Sequence, residues 1–278
     1  MENKYKNLQS RLQSLEGIAV AYSGGADSTF LLHVASNILA DRVLAVTVVS
    51  PTFPSGEREA ALEFTRRQGI EHHIIELDQF AVEGFADNRA DRCYLCKRAY
   101  YPQMLSLAGE YGIITVADGS NADDEKDFRP GMRAVREWGV ISPLQEAGLT
   151  KTEIRQLSRA MGLPSWDKRN ESCLATRIPY GEKITPDKLK RVDGAEQYLR
   201  GLGFRQVRVR CHGETARIEV DAKERIRFDE QLMDEVHDFL RSLGFAYVTL
   251  DLRGYRTGSL NETLKEVQNG QQNPRRHP

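Results

Sequence analysis

Ser23-Gly24-Gly25-Ala26-Asp27-Ser28 is the stretch from which the rest of this chain is read. The run before it, Gly17-Ile18-Ala19-Val20-Ala21-Tyr22, is short, apolar and β-prone. The run after it, Thr29-Phe30-Leu31-Leu32-His33-Val34-Ala35, has the broad apolar face of a helix. The six residues therefore form a strand-to-helix turn. Gly24 and Gly25 allow a sharp turn and a close approach of backbone N–H groups to a ligand. Asp27 or Ser28 is expected to cap the new helix. Free amides at a positive helix end make an anion site. A Walker A loop would carry Gly-Lys-Ser/Thr after its glycines, and none is present. A dinucleotide fingerprint needs a third glycine where Ser28 stands.

In this strand–turn–helix context the stretch resembles SGGxDS, the pyrophosphate loop (PP-loop) of the ATP pyrophosphatases. That resemblance implies a loop gripping the β,γ-phosphates of ATP, which is split into AMP and pyrophosphate. Ser23, Gly24, Gly25, Asp27 and Ser28 are then the expected ATP ligands, with Mg²⁺ as the companion ion.

Composition sets outer bounds. The chain has 278 residues, 40% hydrophobic and 28% charged, with a formal net charge of −1. This is ordinary globular composition, long enough for two domains. Near-neutral charge argues against a chain built to coat nucleic acid. No apolar run approaches ~20 residues, so no membrane span is expected. The start, Met1-Glu2-Asn3-Lys4-Tyr5-Lys6, leads into a charged amphipathic helix and is no signal peptide. Four cysteines without a secretion signal point to a reducing, cytoplasmic setting and to thiol or metal chemistry.

Along the chain, helices are expected over 4–16, 56–69, 97–111 and 150–161, and strands over 42–50, 72–77 and 112–118. Ile141-Ser142-Pro143-Leu144 reads as a short strand or loop. Strands alternating with helices imply an α/β fold, a doubly wound parallel sheet with ligands at its carboxyl edge. The texture changes near residue 185. A helix over 186–202, strands over 206–211 and 216–221 around Gly213-Glu214, a helix over 229–243 and a strand over 246–252 look like a smaller α+β domain. The expected division is 1–185 for the nucleotide domain with three cysteines, 186–268 for a substrate-binding and oligomerisation domain, and 269–278 for a loose tail.

Several polar groups stand out. Asp118-Gly119-Ser120-Asn121, followed by Asp123 and Asp124, ends the fourth strand, where ligand groups belong. Asp118, Gly119 and Ser120 join the expected ATP ligands, as does Ser50 after the second strand. Acidic residues here can hold Mg²⁺, with Asp123 as the candidate, or can simply cap a turn. Cys93-Tyr94-Leu95-Cys96 is expected in a loop before a helix, and Arg92, Lys97 and Arg98 nearby would favour thiolate. A lone CxxC can be a redox pair, half a zinc site or part of a cluster site. Cys173, flanked by Arg169 and Arg177, adds a third thiol. Three cysteines can hold a [4Fe–4S] cluster with one open iron. Cys211 alternates with Val207 and Val209 and is expected to be buried packing.

The phosphate loop, Asp118-Gly119-Ser120-Asn121, Ser142-Pro143-Leu144, Cys173-Leu174-Ala175-Thr176-Arg177 and the late motif Arg253-Gly254-Tyr255-Arg256-Thr257-Gly258-Ser259-Leu260-Asn261 together resemble the LarE-type sulfur transferases. The likeness covers almost the whole chain. It implies an adenine nucleotide α-hydrolase-like fold. It also implies sulfur insertion into pyridinium-3,5-biscarboxylic acid mononucleotide, the precursor of the nickel-pincer cofactor of lactate racemase. Cys173 would be catalytic. Sulfur would come either from Cys173 itself, leaving dehydroalanine, or from sulfide on a [4Fe–4S] cluster held by Cys93, Cys96 and Cys173. The three-cysteine pattern favours the cluster. Arg208, Arg210 and Arg256 would bind the substrate phosphate, and a homo-oligomer is implied. A PP-loop tRNA thiolase is the rival reading; it would want a basic surface or an RNA-binding module, and no nucleic-acid partner is expected.

Overall fold

The computed structural model describes residues 1–126, 129–169 and 171–261. The expected tail at 269–278 lies outside the described residues. The chain divides into two compact units, Met1–Ser172 and Cys173 onward. The division precedes the change of texture near residue 185. Residues 173–185 belong with the second unit, where Arg177 pairs with Glu196 at zero exposure on both side chains.

The first unit runs α1 (Glu2–Gln13), β1 (Ile18–Ala21), α2 (Ala26–Leu39), β2 (Val43–Val49), α3 (Glu57–Gln68), β3 (Glu71–Glu76), α4 (Arg92–Glu110), β4 (Val116–Ala117), α5 (Gly131–Glu137), α6 (Pro143–Glu146) and α7 (Lys151–Ala160). Its sheet has the order β3-β2-β1-β4, and every pair is parallel. The α/β, doubly wound expectation holds. Alternate residues of β1 face opposite ways. Ile18 and Val20 join Leu8, Leu12, Phe30 and Leu31 on one face. Ala19 joins Leu44, Tyr94, Tyr101 and Met104 on the other. Both faces are covered, which suits the nearly continuous apolar run of β2.

The order reverses between β1 and β4. β2 and β3 extend one way from β1, and β4 lies on its other side. Such a switch point opens a crevice at the strand carboxyl ends. The glycine loop follows β1 and Asp118 follows β4, so the topology brings the two polar motifs together. β4 is shorter than the strand expected over 112–118. Ile141 adds a single parallel bridge to Ala117.

The second unit runs α8 (Pro186–Gly201), β5 (Val207–His212), β6 (Thr215–Val220), α9 (Glu230–Ser242) and β7 (Tyr247–Leu250). β5 and β6 pair antiparallel around Gly213, and β7 adds parallel to β6 after the α9 crossover. Val207, Val209 and Cys211 are buried, as the alternation of the strand predicts for Cys211.

Candidate functional site

In the glycine loop, Gly24 adopts φ +71°, a left-handed conformation that side chains resist. Gly25 then stands at the N-cap of α2, and no side chain caps the helix. Asp27 and Ser28, expected as caps, instead lie inside the first turn, because the helix starts at Ala26. Ser28 ties the loop together. Its Oγ accepts from the Ser23 amide at 3.3 Å, donates to Gly25 O at 3.3 Å and lies 3.2 Å from Ser23 Oγ. The carboxylate of Asp27 sits beside the free first-turn amides, the favoured place for negative charge. Its Oδ2 accepts from Asn121 Nδ2 at 3.2 Å, and its buried Oδ1 has no partner.

The turn after β4 closes on this loop. A Cβ on Gly119 would come within 3.0 Å of the Ser28 nitrogen, so only glycine permits the approach. Asp118 is 6% exposed and fully engaged. Its Oδ1 accepts from Ser142 Oγ at 2.7 Å and from the Ser120 amide at 3.1 Å. Its Oδ2 accepts from Ser120 Oγ at 2.9 Å and Lys97 Nζ at 3.2 Å. Burial works against the Asp118 charge, but Lys97 and these hydrogen bonds outweigh it and hold the carboxyl below its ordinary value.

These groups line one cleft of about 280 Å³. Ser23, Gly25, Asp27, Ser28, Asp118 and Ser120 contribute to it, as does Gly119. Four cations reach it in ion pairs: Lys97 with Asp118, Arg129 with Asp124, Lys151 with Asp27 and Lys168 with Glu57. Lys168 Nζ also donates to Gly24 O at 3.0 Å, pinning the loop from the far end of the unit. Backbone amides, a helix N-terminus and exchangeable lysines in one crevice suit a polyphosphate.

Other expected residues lie elsewhere. Asp123 is not among the cleft residues; its Oδ2 accepts from the Lys151 amide at the start of α7. Asp124 lines the cleft instead, 8% exposed, and burial raises its pKa in spite of Arg129. Ser50 does not line the cleft. Its Oγ lies 3.3 Å from Thr52 Oγ1, which donates to Gln79 Oε1 at 2.8 Å.

Cys93 and Cys96 sit in the first two turns of α4, not in a loop ahead of it. Tyr94, Tyr101, Met104 and Ala108 form one buried face, which carries the helix back past the cysteines. The cations expected to favour thiolate are engaged elsewhere: Arg92 is buried against Asn88, Lys97 holds Asp118, and Arg98 lies over the Tyr94 ring. Cys93 is exposed and Cys96 half-buried. Cys173 opens the second unit. Its carbonyl accepts from Thr176 Oγ1 at 2.8 Å and Arg177 Nη1 at 3.3 Å. The three thiols are right in kind for iron–sulfur ligation. Among the described residues, however, no group of three or more His, Cys, Asp or Glu side chains is arranged to hold a metal ion.

Arg208 and Arg210 are buried, not exposed on a strand face. Arg210 holds Glu219 through Nε and Nη2, at 3.1 and 2.9 Å, and also donates to Thr176 O and Ser259 Oγ. Arg208 donates to Val207 O and stacks over Tyr255. Arg256, with a side chain 25% exposed, pairs with Asp251 at 3.5 Å.

Among the cleft cations, sequence reasoning missed Lys168, Lys151 and Arg129; Asp124 stood with Asp123 as an acidic candidate for Mg²⁺ or a turn cap. Only Lys97 carried a usable signal, since it follows Cys96 directly on the helix that packs beside β4.

No family model matches the chain. Similar proteins do. An uncharacterized protein of Synechocystis is 42% identical over 265 residues, spanning 95% of this chain and 99% of its own length. The pyridinium-3,5-bisthiocarboxylic acid mononucleotide synthase of Lactiplantibacillus plantarum is 39% identical over 269 residues, 96% of this chain and 97% of that one. A glutamine-hydrolyzing GMP synthase chain of Pyrococcus furiosus is 26% identical over 226 residues, 74% of this chain and 70% of that one. With the parallel sheet and its glycine loop, these likenesses place the chain in the family of the pyridinium-3,5-bisthiocarboxylic acid mononucleotide synthase, the LarE-type sulfur transferases, which are ATP-using enzymes of the PP-loop superfamily.

Proposed function

We propose that this enzyme activates a carboxylate of pyridinium-3,5-biscarboxylic acid mononucleotide with ATP and replaces an oxygen with sulfur, on the route to the nickel-pincer cofactor. The observation that carries the reading is the double use of α4. The helix that bears Cys93 and Cys96 also bears Lys97, whose Nζ lies 3.2 Å from Asp118 in the phosphate cleft. Thiols and nucleotide chemistry thus share one element.

A carboxylate is a poor electrophile because its leaving group would be oxide. Its oxygen attacks the α-phosphorus of ATP, and pyrophosphate leaves. The Gly24–Ser28 loop and the first turn of α2 hold the β,γ-phosphates, and Lys97 and Lys151 balance the charge that develops. Asp27, whose Oδ1 is buried and unpartnered, would hold the Mg²⁺ that accompanies ATP. A sulfur nucleophile then attacks the acyl carbon, and AMP leaves with the former carboxylate oxygen.

Cys93, Cys96 and Cys173 are the sulfur-handling residues of this proposal. With Cys173 as donor, its sulfur forms a thioester. Loss of the Cα proton and cleavage of the Cβ–S bond then give the thiocarboxylate and dehydroalanine. A [4Fe–4S] cluster would take all three thiols. Bound there, the cluster would supply sulfide from its open iron. Arg208 and Arg210 can take a substrate phosphate only by giving up part of their buried contacts; Arg256 is the least buried of the three.

Anaerobic reconstitution followed by mass spectrometry after turnover tests the sulfur supply. A cluster gives about four irons per chain, lost in Cys93→Ala, with Cys173 intact after many turnovers on added sulfide. The donor route gives one turnover and loss of H₂S from Cys173. A thiocarboxylate product formed equally well by Cys173→Ala would overturn the assignment.

A further inference from the structure

We propose that Gln79 is a positioning residue for the sulfur of Cys96, oriented in turn by Thr52. Gln79 Nε2 donates to Cys96 Sγ at 3.0 Å. Gln79 Oε1 accepts from Thr52 Oγ1 at 2.8 Å, and Ser50 Oγ follows at 3.3 Å from Thr52 Oγ1. Gln79 is 3% exposed and Thr52 1%. A hydroxyl on the carbonyl end of the amide turns its N–H₂ end toward the sulfur. The backbone is fixed as well, because the turn Gln79–Ala81 is capped by Asp78, which accepts from the Phe80 amide at 3.0 Å. The same loop buttresses α4 further on. A Cβ on Gly84 would meet Leu95 at 3.4 Å, and Asn88 pairs with Arg92.

The chemistry explains why a buried amide stands here. Leucine would fill the space, but it would take this donor from Sγ and this acceptor from the Thr52 hydroxyl. The donated hydrogen bond fixes one orientation of the Cys96 side chain. It does so one residue before Lys97, which enters the phosphate cleft. The chain Ser50–Thr52–Gln79–Cys96 thereby links the end of β2 to the thiol helix. This inference rests on the reading of Cys96 as a sulfur-handling residue.

The test uses the full-length metal-free chain. Iodoacetamide labelling is followed cysteine by cysteine by mass spectrometry, with exposed Cys93 as the internal reference. Loss of a donor to Sγ is expected to change the Cys96-to-Cys93 rate ratio roughly fivefold or more in Gln79→Leu. Thr52→Val, which keeps shape and removes the hydroxyl, should move it the same way, and Thr52→Ser should restore it. Under turnover, Gln79→Leu should lower the yield of thiocarboxylate per pyrophosphate released. An unchanged ratio overturns the proposal, and so does a changed ratio with unchanged coupling where Cys96→Ala abolishes sulfur transfer. If Cys96→Ala transfers sulfur normally, the underlying assignment of Cys96 fails, and that result is distinct from the other two.

Discussion

A methyl group on Gly119 would stand 3.0 Å from the Ser28 nitrogen and 3.1 Å from its Cα, both backbone atoms that cannot swing aside. Gly119→Ala is therefore expected to push the two halves of the cleft apart. It should lower stability by about 1–3 kcal/mol and weaken ATP binding more than proportionally, as isothermal titration of the folded variant would show. Lys97→Met leaves Asp118 buried without its cation. The loss expected is about 3 kcal/mol, measured by urea unfolding at pH 7. In the native chain the Asp118 carboxyl titrates below its ordinary value, so the stability it contributes is present above that ordinary value and lost as pH falls through the lowered one. Lys97→Met should move that loss to higher pH. At this scale the glycine loop and Asp118-Gly119-Ser120 were legible, because their backbone demands and strand-end position are written in consecutive residues. Lys168 was not, since its contact with Gly24 O spans 144 positions.

Elements were legible where periodicity governs and less so at their ends. The spacing of Leu8 and Leu12 and the apolar run of β2 gave α1 and β2 nearly their full lengths. The start of α4 was misplaced because the CxxC looks like a loop signal, while the anchoring residue is Tyr94, seven positions before Tyr101. The helix start at Thr150 was clear from sequence, and the reciprocal capping box with Glu153 is formed. Thr150→Ala should lower stability by about 1 kcal/mol. β3 carries a half-buried device that sequence did not suggest. His72 lies between Thr47 Oγ1 at 2.8 Å and Thr65 Oγ1 at 2.9 Å, against the Tyr22 ring. Burial, with His73 adding to it, lowers its pKa to about 4. The unfolded chain then binds a proton that the folded chain refuses. Stability is full above about 6.5, the ordinary histidine value, and falls as pH drops toward 4. Denaturant curves at pH 8 and pH 5 should differ more for the native chain than for His72→Gln. Equal differences would contradict this.

At the scale of the whole molecule, the α/β expectation for the first unit and the small α+β expectation for the second rested on the order of strands and helices, which local pattern reveals. The division at Cys173 did not show in local pattern; Arg177 meets its partner Glu196 only 19 positions further along the chain. Glu196 is fully buried, and its pKa is about 2; burial opposes its charge, but Arg177 and neighbouring arginines overcome it. Arg177→Met should strand that carboxylate and destabilise the second unit by about 3–5 kcal/mol. Hydrogen exchange should then show lost protection from Cys173 onward and retained protection in α2 and β1. Arg177→Met combined with Glu196→Gln should recover part of the loss. The chemistry ascribed to the molecule meets its most direct test in the products of one single-turnover incubation of magnesium ATP and pyridinium-3,5-biscarboxylic acid mononucleotide with excess enzyme, reconstituted anaerobically with iron and sulfide, as the source of the sulfur. Resolved by mass spectrometry, AMP, pyrophosphate and thiocarboxylate should appear in equal amounts. Formation of ADP and phosphate, or of AMP and pyrophosphate with every oxygen of the substrate still in place, would contradict it.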